Sequence, residues 1–205
     1  VRATFSSTGE LLRAYYPSVD FKQFVDFFHV GMKVNDSAII YFHQDINNRY
    51  NQYYTENTNI LNTEIENTYF NLKIRQTDFA LVKENIIAKR YTIVNGNKLD
   101  LDLSFLVRSK LYSNDNNMVS GKVIDNGLIQ YNHDFSFSIF ANKDISGHRI
   151  NDVESCFREA VLTDKDYIGM SNDSAISYNL GTLKSGDQID FTLYIYIEDN
   201  CNIKN

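Results

Sequence analysis

Period two governs the hydrophobic pattern of this 205-residue chain. The cleanest run is Leu99, Leu101, Leu103, Phe105 and Val107, alternating with Asp100, Asp102 and Ser104. Such a run is a strand with one face in a core and the other in water. Ile189, Phe191, Leu193, Ile195 and Ile197 alternate as strictly with Asp190, Thr192, Tyr194 and Tyr196. Phe70, Leu72 and Ile74 alternate with Asn71, Lys73 and Arg75, and Phe135, Phe137 and Ile139 with serines. Val30 to Val34 and Ile176, Tyr178 and Leu180 add two more strands. Turn residues between such runs predict hairpins. One spans Phe5 to Tyr16 around Ser6-Ser7-Thr8-Gly9. A second joins Ile86–Val94 to Leu99–Val107 through Asn95-Gly96-Asn97, and a third joins Val119–Ile124 to Leu128–Tyr131 through Asp125-Asn126-Gly127. Asn35-Asp36-Ser37 turns the chain into a short buried strand from Ala38 to His43, and the same five-residue phrase at 35–39 returns at 172–176 as convergent turn chemistry.

Three stretches depart from this period. Phe21, Phe24, Val25 and Phe28 stand at i, i+3, i+4 and i+7, with Asp20 placed as an N-cap. They predict one helical turn or a loop over 20–28. Residues 47–71 are dense in Asn, Thr and Tyr, which suits turns and polar strands. Residues 142–165 lack periodicity and read as a long excursion, with a turn of helix near Val153 to Val161. No long helical stripe competes with the strands. The expected fold is all-β, a large antiparallel β-sandwich or supersandwich with at most one or two short helical turns, and residues 1–205 form a single domain.

Composition narrows the partners. Hydrophobic residues make up 43% and charged residues 22%, ordinary values for a globular chain that buries its own core. The net charge of −6, with Lys and Arg scattered singly, excludes nucleic acid, which needs a clustered basic face. No apolar run approaches the ~20 residues of a membrane span. Cys156 and Cys201 allow one disulfide, and two free thiols is the simpler expectation. The chain opens at Val1 without a methionine or a signal-peptide pattern, so its natural start is open and the expected location inclines to the cytoplasm.

The chain carries no recognisable catalytic constellation. Asp100 and Asp102 stand about 6.6 Å apart by strand rise, within the roughly 6.5–9.5 Å of an inverting carboxylate pair, yet they sit on the polar face of an amphipathic strand. Asp164 and Asp166 fall in a loop. His29, His43, His133 and His148 are isolated, with no metal-ligand spacing, and His133-Asp134 reads as a strand entry. Neither a nucleophile elbow nor a phosphate loop is present, and no metal or cofactor is expected. Fourteen tyrosines and no tryptophan leave Tyr15-Tyr16, Tyr53-Tyr54 and the pair Tyr194 and Tyr196 as candidate contact surfaces. Tyr194 and Tyr196 face away from Ile195, so unless that face is covered they stand side by side in solvent.

Gly9-Glu10-Leu11 with Tyr15-Tyr16-Pro17, Val34-Asn35-Asp36-Ser37, and the run from Asp166 to Asp173 together resemble the N-terminal β-supersandwich of bacterial glucoamylase-like (family 15-type) glycoside hydrolases. The resemblance implies a sandwich preceding an (α/α)6 barrel whose glutamates invert α-glucosidic bonds. No residue of that barrel is in this chain, so no catalytic residue carries over and the chain is expected to be inert. Its expected partner is its own C-terminal catalytic domain. Tyr15, Tyr16, Pro17 and Asp20 are the candidate interdomain contact or active-site rim, because a proline-fixed tip with adjacent aromatics is preorganised. An autonomous module binding α-glucan is the alternative.

Overall fold

The structure, a computed structural model, describes residues 1–20, 22–112, 118–124, 126–132, 135–154, 157, 161–164, 167–170 and 173–199. Among the described residues the strands are β1 (Arg2–Phe5), β2 (Leu11–Tyr15), β3 (Val25–Val34), β4 (Ala38–Tyr41), β5 (Asn48–Tyr54), β6 (Leu61–Asn67), β7 (Leu72–Ala80) and β8 (Ile86–Asn95), followed by β9 (Leu101–Leu111), β10 (Met118–Ile124), β11 (Gly127–Tyr131), β12 (Phe135–Ala141), β13 (Gly147–Ile150), β14 (Tyr167–Met170), β15 (Asp173–Leu183) and β16 (Gln188–Asp199). They form a nine-stranded sheet in the order β14-β10-β11-β12-β16-β8-β7-β6-β5, a five-stranded sheet β13-β15-β9-β3-β4, and the hairpin β1-β2. Every described pairing is antiparallel. The all-β sandwich expected from the alternation is the observed fold. No helix among the described residues is long and apolar enough to cross a membrane.

The two sheets meet through the in-phase residues of each alternating run. Leu101, Leu103, Phe105 and Val107 of β9 face Phe191, Leu193, Ile195 and Ile197 of β16 in one core, and all are at most 2% exposed. Phe105 and Phe191 lie 4.4 Å apart between ring centroids at its centre. Ser109 and Ser174 of the small sheet bond to buried Gln130 of the large one, so one polar bridge crosses the sandwich.

Two expectations fail for identifiable reasons. Residues 25–28 are strand, not a helical turn. Register shifts between Val25 and Phe27, where Val25 opposes Leu111 and Phe27 opposes Lys110. That bulge at Asp26 turns Val25 and Phe28 to the same buried side, which imitates helical spacing. Phe21 lies outside the described residues. The second failure is the hairpin over 86–107. β8 pairs with β7 and β16, whereas β9 pairs with β3 and β15, so Asn95-Gly96-Asn97 carries the chain from one sheet to the other. The Asn95 side chain donates to the carbonyls of Leu99 and Leu183 and holds this crossing. Turn chemistry dictates a change of direction, not the sheet that is entered. Elsewhere β5 and β6 occupy the Asn-rich stretch, β13 lies inside the 142–165 excursion, and Val153, Glu154 and Phe157 are helical. Val153 and Phe157 pack on Leu106 and Ala175, covering part of the small sheet's outer side. The hairpin of β10 and β11 is as expected, with its Asp125 outside the described residues.

The β1-β2 hairpin packs on the inner face of β7 and β8 over polar residues. Asp78 and Lys89 are direct register partners on that face and form an ion pair of 2.6 Å, both almost wholly buried. Gln76 donates to Asp78 (2.6 Å) and to the Gly9 carbonyl (2.6 Å), Lys89 reaches the same carbonyl at 3.4 Å, and Gln52 donates to the Ser6 carbonyl at 2.9 Å. Gly9 has φ of +82°, and a Cβ there would meet Gln76 Nε2 at 2.8 Å, so glycine is required on two counts. Lys89→Met strands the Asp78 carboxylate and is expected to cost about 3–5 kcal/mol in urea unfolding. Adding Asp78→Leu should recover most of that loss. A double variant no more stable than the single one would refute this account of the pair.

Candidate functional site

The outer face of the large sheet divides into two unlike halves. One cross-strand row runs Phe79, Ala88, Tyr194, Phe140, Gly127 and Ile124, each the register partner of the next. Tyr194 is 39% and Ile124 40% exposed, and Phe140 lies over Gly127, where a Cβ would stand 2.3 Å from the ring. Tyr196 opposes Ile86 and Ser138 in the next row and is half-buried. The expected outward pairing of Tyr194 and Tyr196 is therefore observed, with Ile195 fully buried behind them. Four residues back along β16, about 13 Å by strand rise, the rows turn polar. Asn51, Glu64, Arg75, Thr92 and Asp190 form one row, and Arg49, Glu66, Lys73, Val94 and Gln188 another. All of these but Asp190 line a shallow depression of about 510 Å³. Thr92 and Arg90 both donate to Asp190 and hold its carboxyl below the ordinary value.

Other predicted residues scatter. Tyr15 ends β2 half-buried and bridges to Gln23, Tyr16 packs against the main core, and Pro17 and Asp20 are exposed. Burial, with the neighbouring charges of Glu198, Tyr16 and Glu84, raises the Tyr196 phenol above its ordinary value. Tyr53 bonds Glu64, and Tyr54 is 65% exposed. Asp100 and Asp102 are exposed, accepting from Ser185 N and Thr182 Oγ1 respectively. Asp102 borders a depression of about 320 Å³ whose walls do not include Asp100. Asp164 accepts from His148 N and lies 3.3 Å from His148 Nδ1. Cys156, Cys201, His133, Asp134 and Asp166 lie outside the described residues.

The structure gathers one cluster with no signature in the sequence. Among the described residues β4 pairs with β3 from Gly31 to Val34, and Phe42 N donates to the Val30 carbonyl, which leaves that edge of β3 without a paired strand from Val25 to His29. The start of β2 and the turn after β4 close on it, bringing Glu10, His29 and His43 together. Glu10 Oε1 lies 3.2 Å from His29 Nε2. The His29 ring stacks between Phe27, 4.9 Å away, and His43, 4.5 Å away, and Arg108 sits 5.0 Å over Phe27. One ligand atom from each of Glu10, His29 and His43 lies within 4.8 Å of the other two. Burial and Arg108 lower His29, with Glu154 opposing. Burial and neighbouring His29 push His43 down to about 4, and burial raises Glu10. Residues 10, 29 and 43 share no motif spacing, so only the sheet edge reveals them. The buried Asp78 and Lys89 did carry a signal: both continue the in-phase positions of apolar runs, after Leu72 and Ile74 and between Ile87 and Tyr91.

No protein-family model and no curated protein matches the chain. Among solved structures, a bacterial glucoamylase complexed with acarbose superposes on 93% of this chain with a TM-score of 0.71 at 14% identity. The chain has the fold of that part of the glucoamylase. It spans only 29% of the glucoamylase's length. A protein assigned as an aldose 1-epimerase from Escherichia coli K12 covers 74% of this chain with a TM-score of 0.52 at 7% identity, over 69% of its own length. The glucoamylase resemblance carried by Gly9-Glu10-Leu11 and Tyr15-Tyr16-Pro17 is thus borne out at the level of fold.

The depressed His43 gives a directional test. Between about pH 4 and the ordinary value of 6.5 the unfolded chain binds a proton that the folded chain refuses. Stability should therefore be full above 6.5 and fall as pH drops through that window. In the metal-free protein the His43 ring resonances should titrate with a midpoint near 4. A midpoint near 6.5 would contradict the stacked, buried environment.

Proposed function

We propose that this chain is a non-catalytic domain of a glycoside hydrolase, of glucoamylase type, which packs on and supports the catalytic domain of the same protein. The apolar row through Phe79, Tyr194, Phe140 and Ile124 carries the reading, because a sandwich with its core already filled gains nothing from a second apolar face in water. Tyr15, Tyr16, Pro17 and Asp20 form a second part of the contact, with Pro17 and Asp20 exposed to receive a partner. The likeness to part of a larger glucoamylase supports the parent assignment, with α-glucosidic bonds as the parent's substrate. The exposed, separately bonded Asp100 and Asp102 support an inert chain.

The second reading, an autonomous module for α-glucan, is favoured by one feature, the polar depression lined by Asn51, Glu64, Arg75 and Thr92. Glu64, held by donors from Asn51 and Tyr53, and the guanidinium of Arg75 set acceptors and donors on a shallow surface, which suits sugar hydroxyls.

Two measurements separate these readings. Calorimetric titration of the 205-residue chain with maltooligosaccharides and isomaltooligosaccharides, beside a hydrolysis assay, should give neither heat nor product. Heat lost in Arg75→Ala would replace the first reading with the second, and hydrolysis surviving repurification would overturn both. In the full-length protein, Tyr194→Ser with Tyr196→Ser should weaken coupling between the domain melting transitions by about 2 kcal/mol. Unchanged coupling would remove this face from the interface.

A further inference from the structure

We propose that Glu10, His29 and His43 form a binding site for one divalent transition-metal ion, with Zn²⁺ the fitting member, which clamps the β1-β2 hairpin to the edge of the five-stranded sheet. Two imidazoles and one carboxylate make a borderline donor set of the kind that takes zinc, cobalt or nickel rather than calcium or magnesium. Bond lengths of about 2.0–2.2 Å in a tetrahedral site place ligand atoms roughly 3.3 Å apart. The 3.2 Å from Glu10 Oε1 to His29 Nε2 already meets that spacing. The outer limit of 4.8 Å among the three ligand atoms leaves about 1.5 Å for the rest to close.

His43 makes that adjustment. Its ring plane lies 16° from that of His29, so the in-plane lone pairs point side by side rather than at one point. A shared ion therefore requires His43 to turn about its Cβ–Cγ bond and unstack. Its Nδ1 is shielded from solvent and has no hydrogen-bond partner, so that nitrogen gives up nothing by turning. Beside it, Glu10 and His43 border a cavity of about 10 Å³, the space of one small occupant, with Thr8, Gln76 and Lys89 also on its wall. The Lys89 charge there is met by Asp78 at 2.6 Å. Glu10 is fixed from behind, because its carbonyl accepts from Ser6 N and its amide donates to Ser6 Oγ. Each ligand comes from a different element, so the ion would cross-link the β1-β2 turn, β3 and the chain after β4.

The test is a calorimetric titration of the EDTA-treated chain with Zn²⁺, repeated with Co²⁺ while recording its visible absorption. One site per chain is expected, with a higher melting temperature when Zn²⁺ is present. Glu10→Gln, His29→Asn and His43→Gln should each weaken Zn²⁺ roughly tenfold or more. His148→Ala, which removes the histidine of the separate pair with Asp164, should leave affinity unchanged. Circular dichroism checks the fold of each variant, and should His43→Gln fail to fold, His29→Asn and Glu10→Gln decide the matter. Absence of saturable binding to the wild-type chain would overturn the site. Binding that survives the substitutions, or that falls only in His148→Ala, would place the ion elsewhere and overturn it equally.

Discussion

The buried ion pair between Asp78 and Lys89 is the constraint on which the arrangement of the hairpin and the large sheet depends. Two charges removed from water are tolerable only when each is matched and hydrogen-bonded. Register supplies the match, since the two residues are direct cross-strand partners, and Gln76 and the Gly9 carbonyl supply the remaining bonds. Burial pushes the Asp78 carboxyl up and the Lys89 ammonium down, and their attraction pulls each back. A one-residue slip of β7 against β8 would carry Asp78 and Gln76 to the opposite face, leaving Lys89 buried without its partner and Gly9 without Gln76. The pair thus fixes sheet register and hairpin position together.

From that docked hairpin the chemistry at the open edge of β3 follows. The turn that presents the Gly9 carbonyl to Gln76 also delivers the next residue, Glu10, to His29. The small cavity bounded by Glu10, His43, Gln76 and Lys89 lies where these two polar groups meet. The opposite, outer face of the large sheet answers to a different requirement. Its apolar row and its charged rows lie on the same strands a few residues apart, so one sheet offers an aromatic surface at one end and a hydrogen-bonding surface at the other.

How far each feature was legible depends on the range of the interaction behind it. Alternation at 101–107 and 189–197 announced two core strands, because side-chain direction in a strand repeats every two residues whatever it pairs with, whereas in-phase Leu99 precedes the strand and is 71% exposed. The outward face of Tyr194 and Tyr196 followed from the same rule. The bulge at Asp26 broke the rule by one residue and produced a helical spacing, which no local reading distinguishes from a helix. Asn95-Gly96-Asn97 announced a turn correctly and a hairpin wrongly, since the loop leads into the second sheet.

Sequence by itself therefore determined the all-β class, most strand positions, the facing of the regularly alternating strands and the scarcity of local catalytic motifs, all of which depend on neighbours within a few residues. Tertiary structure alone decided which sheet each strand joined, that Asp78 would meet Lys89, and that Glu10, His29 and His43 would converge. The two side-chain clusters join residues 11 to 33 positions apart, and the sheet pairings reach further, as between Thr92 and Asp190, 98 positions apart. Such contacts form only once sheet register and hairpin docking bring the segments together, and no short-range periodicity encodes them.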